Sequence, residues 1–295
     1  LAKVSAAQKN LPEALNLYEK ALAVERNNFD ALSGAVGVLS RQNQAGAARE
    51  RIDRAIAENA GDKKILPALH YLKADVFKAE NNAAAAEAEL VKAVELDDTY
   101  LPAYTAYAAL LISQNQTPRA IEQYKKAVAK KPSASVYTLI GMLEDARGNL
   151  DEAERNYRKA LEIAPETPIA ANNLAWNIAA YERGNLDEAL ALAQTCVTRN
   201  PANAGFYDTL GWIYFKKGLL SPAVEHLRKS VALDEAEAAR SGRAANPAYR
   251  VRLGQALATA GDKPSARREV EIALENEKDL SQKEAHDARS LLASL

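Results

Sequence analysis

Four glycine-centred stretches repeat along the chain. Gly148-Asn149-Leu150-Asp151-Glu152-Ala153 returns as Gly184-Asn185-Leu186-Asp187-Glu188-Ala189 after 36 residues, as Gly218-Leu219-Leu220-Ser221-Pro222-Ala223 after 34 more, and as Gly261-Asp262-Lys263-Pro264-Ser265-Ala266 after a further 43. A period in this range holds two helices and a turn. Such a unit cannot bury its apolar face alone and must stack on copies of itself, so the period narrows the possible folds more than composition does.

Side-chain spacing inside each period identifies the unit. Tyr207, Leu210, Gly211 and Tyr214 are followed by Ala223 and Leu227. Tyr137, Ile140 and Gly141 are followed by Ala153, Tyr157, Ala160 and Pro165, and Tyr104, Tyr107, Ala108 and Leu111 by Ala120, Tyr124, Ala127 and Pro132. Weaker copies run through Leu32, Ala48, Ile52 and Ala55, through Ala74, Phe77, Ala86, Leu90 and Ala93, through Leu174, Ala175, Ala189, Ala193, Cys196 and Pro201, and through Leu253, Gly254, Leu257, Ala266, Val270 and Ala273. This pattern resembles that of tetratricopeptide repeat (TPR) proteins over nearly the whole chain. The resemblance implies an all-α fold, a right-handed α-α superhelix.

Proline gives an independent check, because it is tolerated in a first helical turn or a loop but costs about 3 kcal/mol in a helix interior. Pro12, Pro118, Pro222 and Pro264 fall at starts of second helices, Pro132, Pro165 and Pro201 just past their ends, and Pro67, Pro102, Pro168 and Pro247 at the openings of repeats. The expected repeats lie near residues 1–28, 29–62, 67–100, 101–133, 134–167, 168–203, 204–237 and 247–280. That makes about seven full repeats and a partial first one, an array spanning 1–280. The copy at Leu1 enters midway through its first helix, which predicts further chain upstream. Ser281 and Glu284 form a capping-box pattern opening a helix over 281–295, expected to cap the array. Extra residues at Asn59 to Leu66 and Ala236 to Asn246 read as spacers, the second as a longer helix and a loop.

Composition excludes several functions. With 38 Lys+Arg against 39 Asp+Glu, the chain has no cationic excess for nucleic acid or an anionic membrane. No apolar window is long enough to span a bilayer. The three histidines, His70, His226 and His286, show no metal-ligand spacing, and the Asp-Glu pairs recur at helix starts, where they favour the helix dipole. A non-enzymatic protein with no cofactor or metal is expected. Alanine fills about a fifth of the chain. Ala120, Ala153, Ala189, Ala223 and Ala266 are expected to oppose Ala108, Gly141, Ala175, Gly211 and Gly254 at close helix contacts, with Cys196 as another small buried residue.

TPR proteins bind partners mainly through fixed positions of each first helix. In the early repeats these positions hold Asp30, Ser33, Gly34 and Gly37, then Tyr71, Asp75 and Lys78, then Thr105 and Ala109, then Thr138, Met142 and Asp145; Tyr71 and Met142 are the anchor candidates. The late repeats offer Asn172, Asn173 and Trp176, then Asp208, Thr209, Trp212, Phe215 and Lys216, then Arg252 and Gln255. Both tryptophans share one position in consecutive repeats, and Trp and Arg dominate binding hot spots. The resemblance therefore implies a peptide or helix held by Trp176, Trp212 and Phe215 and oriented by Asn172, Asn173, Asp208, Lys216 and Arg252. The same aromatics have a second reading, as packing residues. Of the family's carboxylate clamp for heat-shock chaperone tails, only Arg252 is present; Asn172, Trp176, Thr209 and Ala248 fill the other places.

Three functions follow. The first is a protein-binding scaffold in a bacterial assembly or secretion complex, with Asn172 to Leu210 similar to TPR proteins of exopolysaccharide export or PEP-CTERM sorting. A periplasmic chain, lipid-anchored upstream, and a cytoplasmic one both fit that reading. The second is a substrate-recruiting segment of a larger enzyme, such as a glycosyltransferase. The third is a scaffold that self-associates through its open first repeat.

Overall fold

The computed structural model describes all 295 residues and consists of helices and turns, with no strand. The chain forms two compact units, Leu1–Val136 and Tyr137–Leu295. The first contains α1 (Ala2–Ala7), α2 (Leu11–Val24), α3 (Phe29–Arg41), α4 (Ala45–Glu58), α5 (Leu66–Ala79), α6 (Ala83–Leu96), α7 (Leu101–Ser113) and α8 (Thr117–Lys130). Helix α9 (Ala134–Ala146) starts at its end. The second continues with α10 (Leu150–Ile163), α11 (Pro168–Ala180), α12 (Leu186–Arg199), α13 (Ala204–Lys216), α14 (Leu220–Ser241), α15 (Pro247–Thr259), α16 (Lys263–Leu274) and α17 (Gln282–Ser294). Within each unit the helices pack in sequence-adjacent pairs, which is the all-α TPR architecture.

Local chemistry sets the helix ends. Asn28, Asn82 and Asn203 accept hydrogen bonds from the amides of Ala31, Ala85 and Phe206, closing the first turns of α3, α6 and α13. The turn inside each pair needs one left-handed residue. Gly148, Gly218 and Gly261 provide it at φ of 77°, 72° and 89°, and Asn43, Asn81 and Asn115 provide it at 58°, 57° and 59° in the earlier repeats. Asparagine tolerates this conformation better than other side chains, so the glycine motif fades in the first unit although the turn persists. After α11 the turn residue is Glu182, at φ 55°.

Packing explains the small residues. Ala48, Ala86, Ala120, Ala153, Ala189, Ala223 and Ala266 are all fully buried at the same place in successive second helices. A Cβ on Gly141 would lie 2.5 Å from the Tyr157 ring, one on Gly211 2.7 Å from Leu227 and one on Gly254 2.5 Å from Val270. Gly34 belongs with them: it sits against the Tyr18 ring, where a Cβ would clash, and so serves packing and not the groove position its register suggested. Cys196 is buried, its thiol donates to the Pro168 carbonyl at 3.4 Å, and burial pushes its pKa up to about 11. Ion pairs link residues about one period apart: Arg158 reaches Glu188, Arg199 reaches Glu166 and Lys217 reaches Asp187.

The extra residues at Ala236 to Asn246 lengthen α14 to Ser241, where Gly242 ends it with φ 73°. Asp234 holds the loop that follows, accepting from the Arg243 guanidinium and from the Asn246 amide. At the C-terminal end Ser281 and Glu284 form the full capping box of α17. This helix folds back: Leu291 and Leu292 pack on a core of Val251, Val270, Ala273 and Ala288, and Leu295 joins Leu227, Leu253 and Leu257.

Candidate interaction groove

The ninth residues of α9, α11, α13 and α15 are Met142, Trp176, Trp212 and Gln255, so one register position draws a row across the first helices of the second unit. Met142 is 42% exposed; Trp176, Trp212 and Gln255 are partly buried. The indole rings of Trp176 and Trp212 lie 6.5 Å apart at 33°, and Phe215 stacks on Trp212 at 4.9 Å. These rings form a continuous aromatic strip that keeps part of its surface in solvent. The Trp212 indole nitrogen is shielded and has no hydrogen-bond partner.

Polar groups around the strip are already engaged with one another. Asn172 donates to Asn173 at 3.5 Å, Asn173 donates to the Tyr157 hydroxyl at 3.3 Å, and that hydroxyl bonds the Asp145 carboxylate at 3.3 Å. Lys216 donates to Glu182 at 2.8 Å while its ammonium lies 5.9 Å over the Trp212 ring. Asp208 is buried and accepts from the Arg252 Nε at 2.8 Å. Arg252 also donates through Nη1 to Glu284 of α17 at 3.2 Å, and its guanidinium lies 5.0 Å over the Trp176 ring. Asp208 and Arg252, expected as separate groove ligands, are thus one buried ion pair roofed by an indole.

Burial pushes the Asp208 carboxyl above its usual range, outweighing the pull of Arg252 beside it. Burial also acts to raise Glu284, but hydrogen bonds from Ser281 and the Arg252 charge outweigh it and hold that carboxyl below its usual range.

A cleft of about 220 Å³ opens between the strip and the start of α17. Trp176, Ala180, Tyr181, Trp212, Val251, Arg252 and Gln255 form one wall, and Ser281, Lys283, Glu284 and Asp287 form the other. Sequence reasoning located the first wall in part and missed the second. The capping box was visible in the sequence; that α17 doubles back onto α15 was not, because the contact joins residues 32 apart in the chain. Met142 lies outside the cleft lining, although it shares the register row. Tyr71 belongs to the first unit, where its partly buried ring meets Tyr100 edge-on at 6.2 Å. Burial and the neighbouring Asp75 raise the Tyr71 hydroxyl above its usual pKa.

Family models described as tetratricopeptide repeat match residues 5–74 and 67–100, and in overlapping copies 105–168, 138–204 and 174–239. A TPR repeat-containing protein of Pseudomonas aeruginosa is 25% identical over 139 residues, which is 46% of this chain and 23% of that protein. A human protein O-mannosyl-transferase is 26% identical over 168 residues, 55% of this chain and 19% of its own length. This chain therefore spans about a fifth to a quarter of the curated relatives it matches. Among solved structures, the APC/C Cut9–Hcn1 hetero-tetramer superposes with a TM-score of 0.60 at 15% identity, covering 96% of this chain and 52% of that one. YrrB, described as a TPR protein with an unusual peptide-binding site, superposes with a TM-score of 0.53 at 22% identity over 64% of this chain and 94% of its own.

Proposed function

The chain belongs to the tetratricopeptide repeat family, whose repeats imply a protein–protein interaction scaffold, and from that premise we propose that it holds a peptide or helix of a partner on the first-helix face of its second unit. The observation that carries this reading is the strip of Trp176, Trp212 and Phe215. Large aromatic surfaces that retain solvent exposure beside a cleft are what binding hot spots are made of. Their surroundings are pre-organised: Arg252, Asp208, Asn172, Asn173 and Lys216 are held by internal bonds and shape the site without needing to reorder. Met142 and Gln255 extend the contact along the row, and Tyr71 offers a separate contact in the first unit. A setting in a bacterial assembly or export complex completes the proposal.

The test is selection of binding peptides from a displayed random library, comparing the wild-type chain with Trp176→Ala and Trp212→Ala/Phe215→Ala. The expected result is enrichment of sequences that bind wild type and lose at least tenfold in affinity on the variants, with helicity retained, since removing an interface hot spot costs about 2 kcal/mol or more. Loss of helical content in these variants would identify the rings as packing residues instead.

A further inference from the structure

The cleft beside the tryptophan strip holds one carboxylate that no cation of the chain engages. Asp208 and Glu284 set two carboxylates against the single guanidinium of Arg252. Asp287, on α17 one turn beyond Glu284, lines the same cleft, is partly buried and enters none of the chain's ion pairs. Among the lining residues Glu284 is engaged by Arg252, so Asp287 is the carboxylate left without a partner; Asp208 is buried and is not part of the lining. Lys283 is the other cation in the lining; it is exposed, unpaired and on a long stem that can carry its charge out to water. Lys216 is tied to Glu182. The positive end of α17 is met by its own Glu284 through the capping box.

The aromatic walls favour the same sign of ligand. Indole faces attract cations, and this protein already uses both for that purpose, with Arg252 over Trp176 and Lys216 over Trp212. Tyr181, 47% exposed, adds a third ring at the rim. A cleft of about 220 Å³ holds one long side chain and is too small for a helix, whose diameter is about 10–12 Å. We propose that this cleft takes a single lysine or arginine side chain of the partner, its aliphatic stem along Trp176 and Trp212 and its charge directed to Asp287. The proposal rests on reading this face as a partner-binding groove. An acidic side chain there would stand against both Glu284 and Asp287.

Acetylated and amidated pentaalanine peptides carrying lysine, arginine, norleucine or glutamate at the centre test it. Both tryptophans of the chain line the cleft, so intrinsic fluorescence reports occupancy. The lysine and arginine peptides should change the emission saturably, with the norleucine peptide about 3- to 30-fold weaker for want of the charge and the glutamate peptide weaker still. Raising salt should narrow the gap between lysine and norleucine in the wild-type protein, and Asp287→Asn should close most of it with an unchanged melting midpoint. The proposal is overturned by glutamate binding as well as lysine, by a lysine-to-norleucine ratio that neither salt nor Asp287→Asn alters, or by no emission change with any peptide at millimolar concentration. Equal binding of lysine and norleucine that is lost in Trp176→Ala would sink the charge proposal while leaving the groove intact. Failure of the displayed peptides as well would sink the groove.

Discussion

Two helical glycines should respond in opposite directions to the same substitution. Gly211 lies in α13, where an added Cβ would stand 2.7 Å from the Leu227 Cγ and 3.0 Å from the Leu227 backbone nitrogen. The side chain could turn aside, but the backbone of α14 can only move away as a body. Overpacking of this kind costs about 1–3 kcal/mol, against about 1 kcal/mol gained from the better helix propensity of alanine. With the middle of that cost range, Gly211→Ala should lose about 1 kcal/mol net, a drop of about 2–4 °C for a unit of this size. Gly37, in the interior of α3, is exposed and a Cβ there meets nothing within 4 Å. Only the propensity gain applies, so Gly37→Ala should raise the midpoint of its unit by about 2–4 °C. Differential scanning calorimetry on both single variants measures the two shifts. A Gly211→Ala midpoint at or above wild type, or a Gly37→Ala midpoint below it, would refute the assignment of packing and open positions.

Ala153, fully buried, should tolerate leucine poorly: Ala153→Leu should cost about 1–3 kcal/mol, read as a lower midpoint by circular dichroism. With its pKa pushed up to about 11 by burial, Cys196 should react with iodoacetamide at pH 8 at least about a hundredfold more slowly in the folded protein than in urea, and equal rates would refute its burial. Ser281→Ala removes the capping box and should cost about 1 kcal/mol, seen as faster amide exchange confined to α17. The Glu284 carboxyl is held below its usual range, so it contributes stability above the ordinary carboxylate pKa and loses it as pH falls through the lower folded value. Exchange protection of α17 should accordingly fall as the pH is lowered past the ordinary carboxylate value of 4.5 and through the lower folded one, and Glu284→Gln should flatten that profile. Asp208, raised instead of lowered, takes its proton earlier in the same descent.

The helices were legible because their signals are local and repeated. Prolines in first turns, alanines at one recurrent place and glycines at the tight turn each report a constraint that acts within a few residues. Where the chain met the same constraint with a different residue, the signal weakened although the structure did not, as with Asn43, Asn81 and Asn115 in the left-handed turn. The site was less legible because its polar contacts are not local. Asp208 meets Arg252 across 44 residues, and no spacing rule pairs a carboxylate on one first helix with a guanidinium on the next. Gly34 likewise carries no mark that distinguishes an open groove position from the seat of the Tyr18 ring.

The internal pairing of the groove decides where binding energy can come from. A ligand that took Arg252 for itself would have to separate it from Asp208, leaving a buried carboxylate without its partner, and breaking such a pair costs about 3–5 kcal/mol. Few single contacts return that much. Covering the exposed parts of Trp176, Trp212 and Phe215 requires no such separation and gains about 25 cal/mol for each Å² of apolar surface removed from water. Affinity at this face should therefore follow the aromatic strip, with Arg252 acting as a fixed support for the Trp176 ring and for α17. It follows that Arg252→Ala should impair binding mainly by loosening the cleft: amide exchange in α17 should quicken in the absence of any ligand, and Arg252→Lys, which keeps the charge but cannot bridge two carboxylates with the same planar fork, should not restore it. Full rescue by lysine would show that charge alone is what Arg252 supplies.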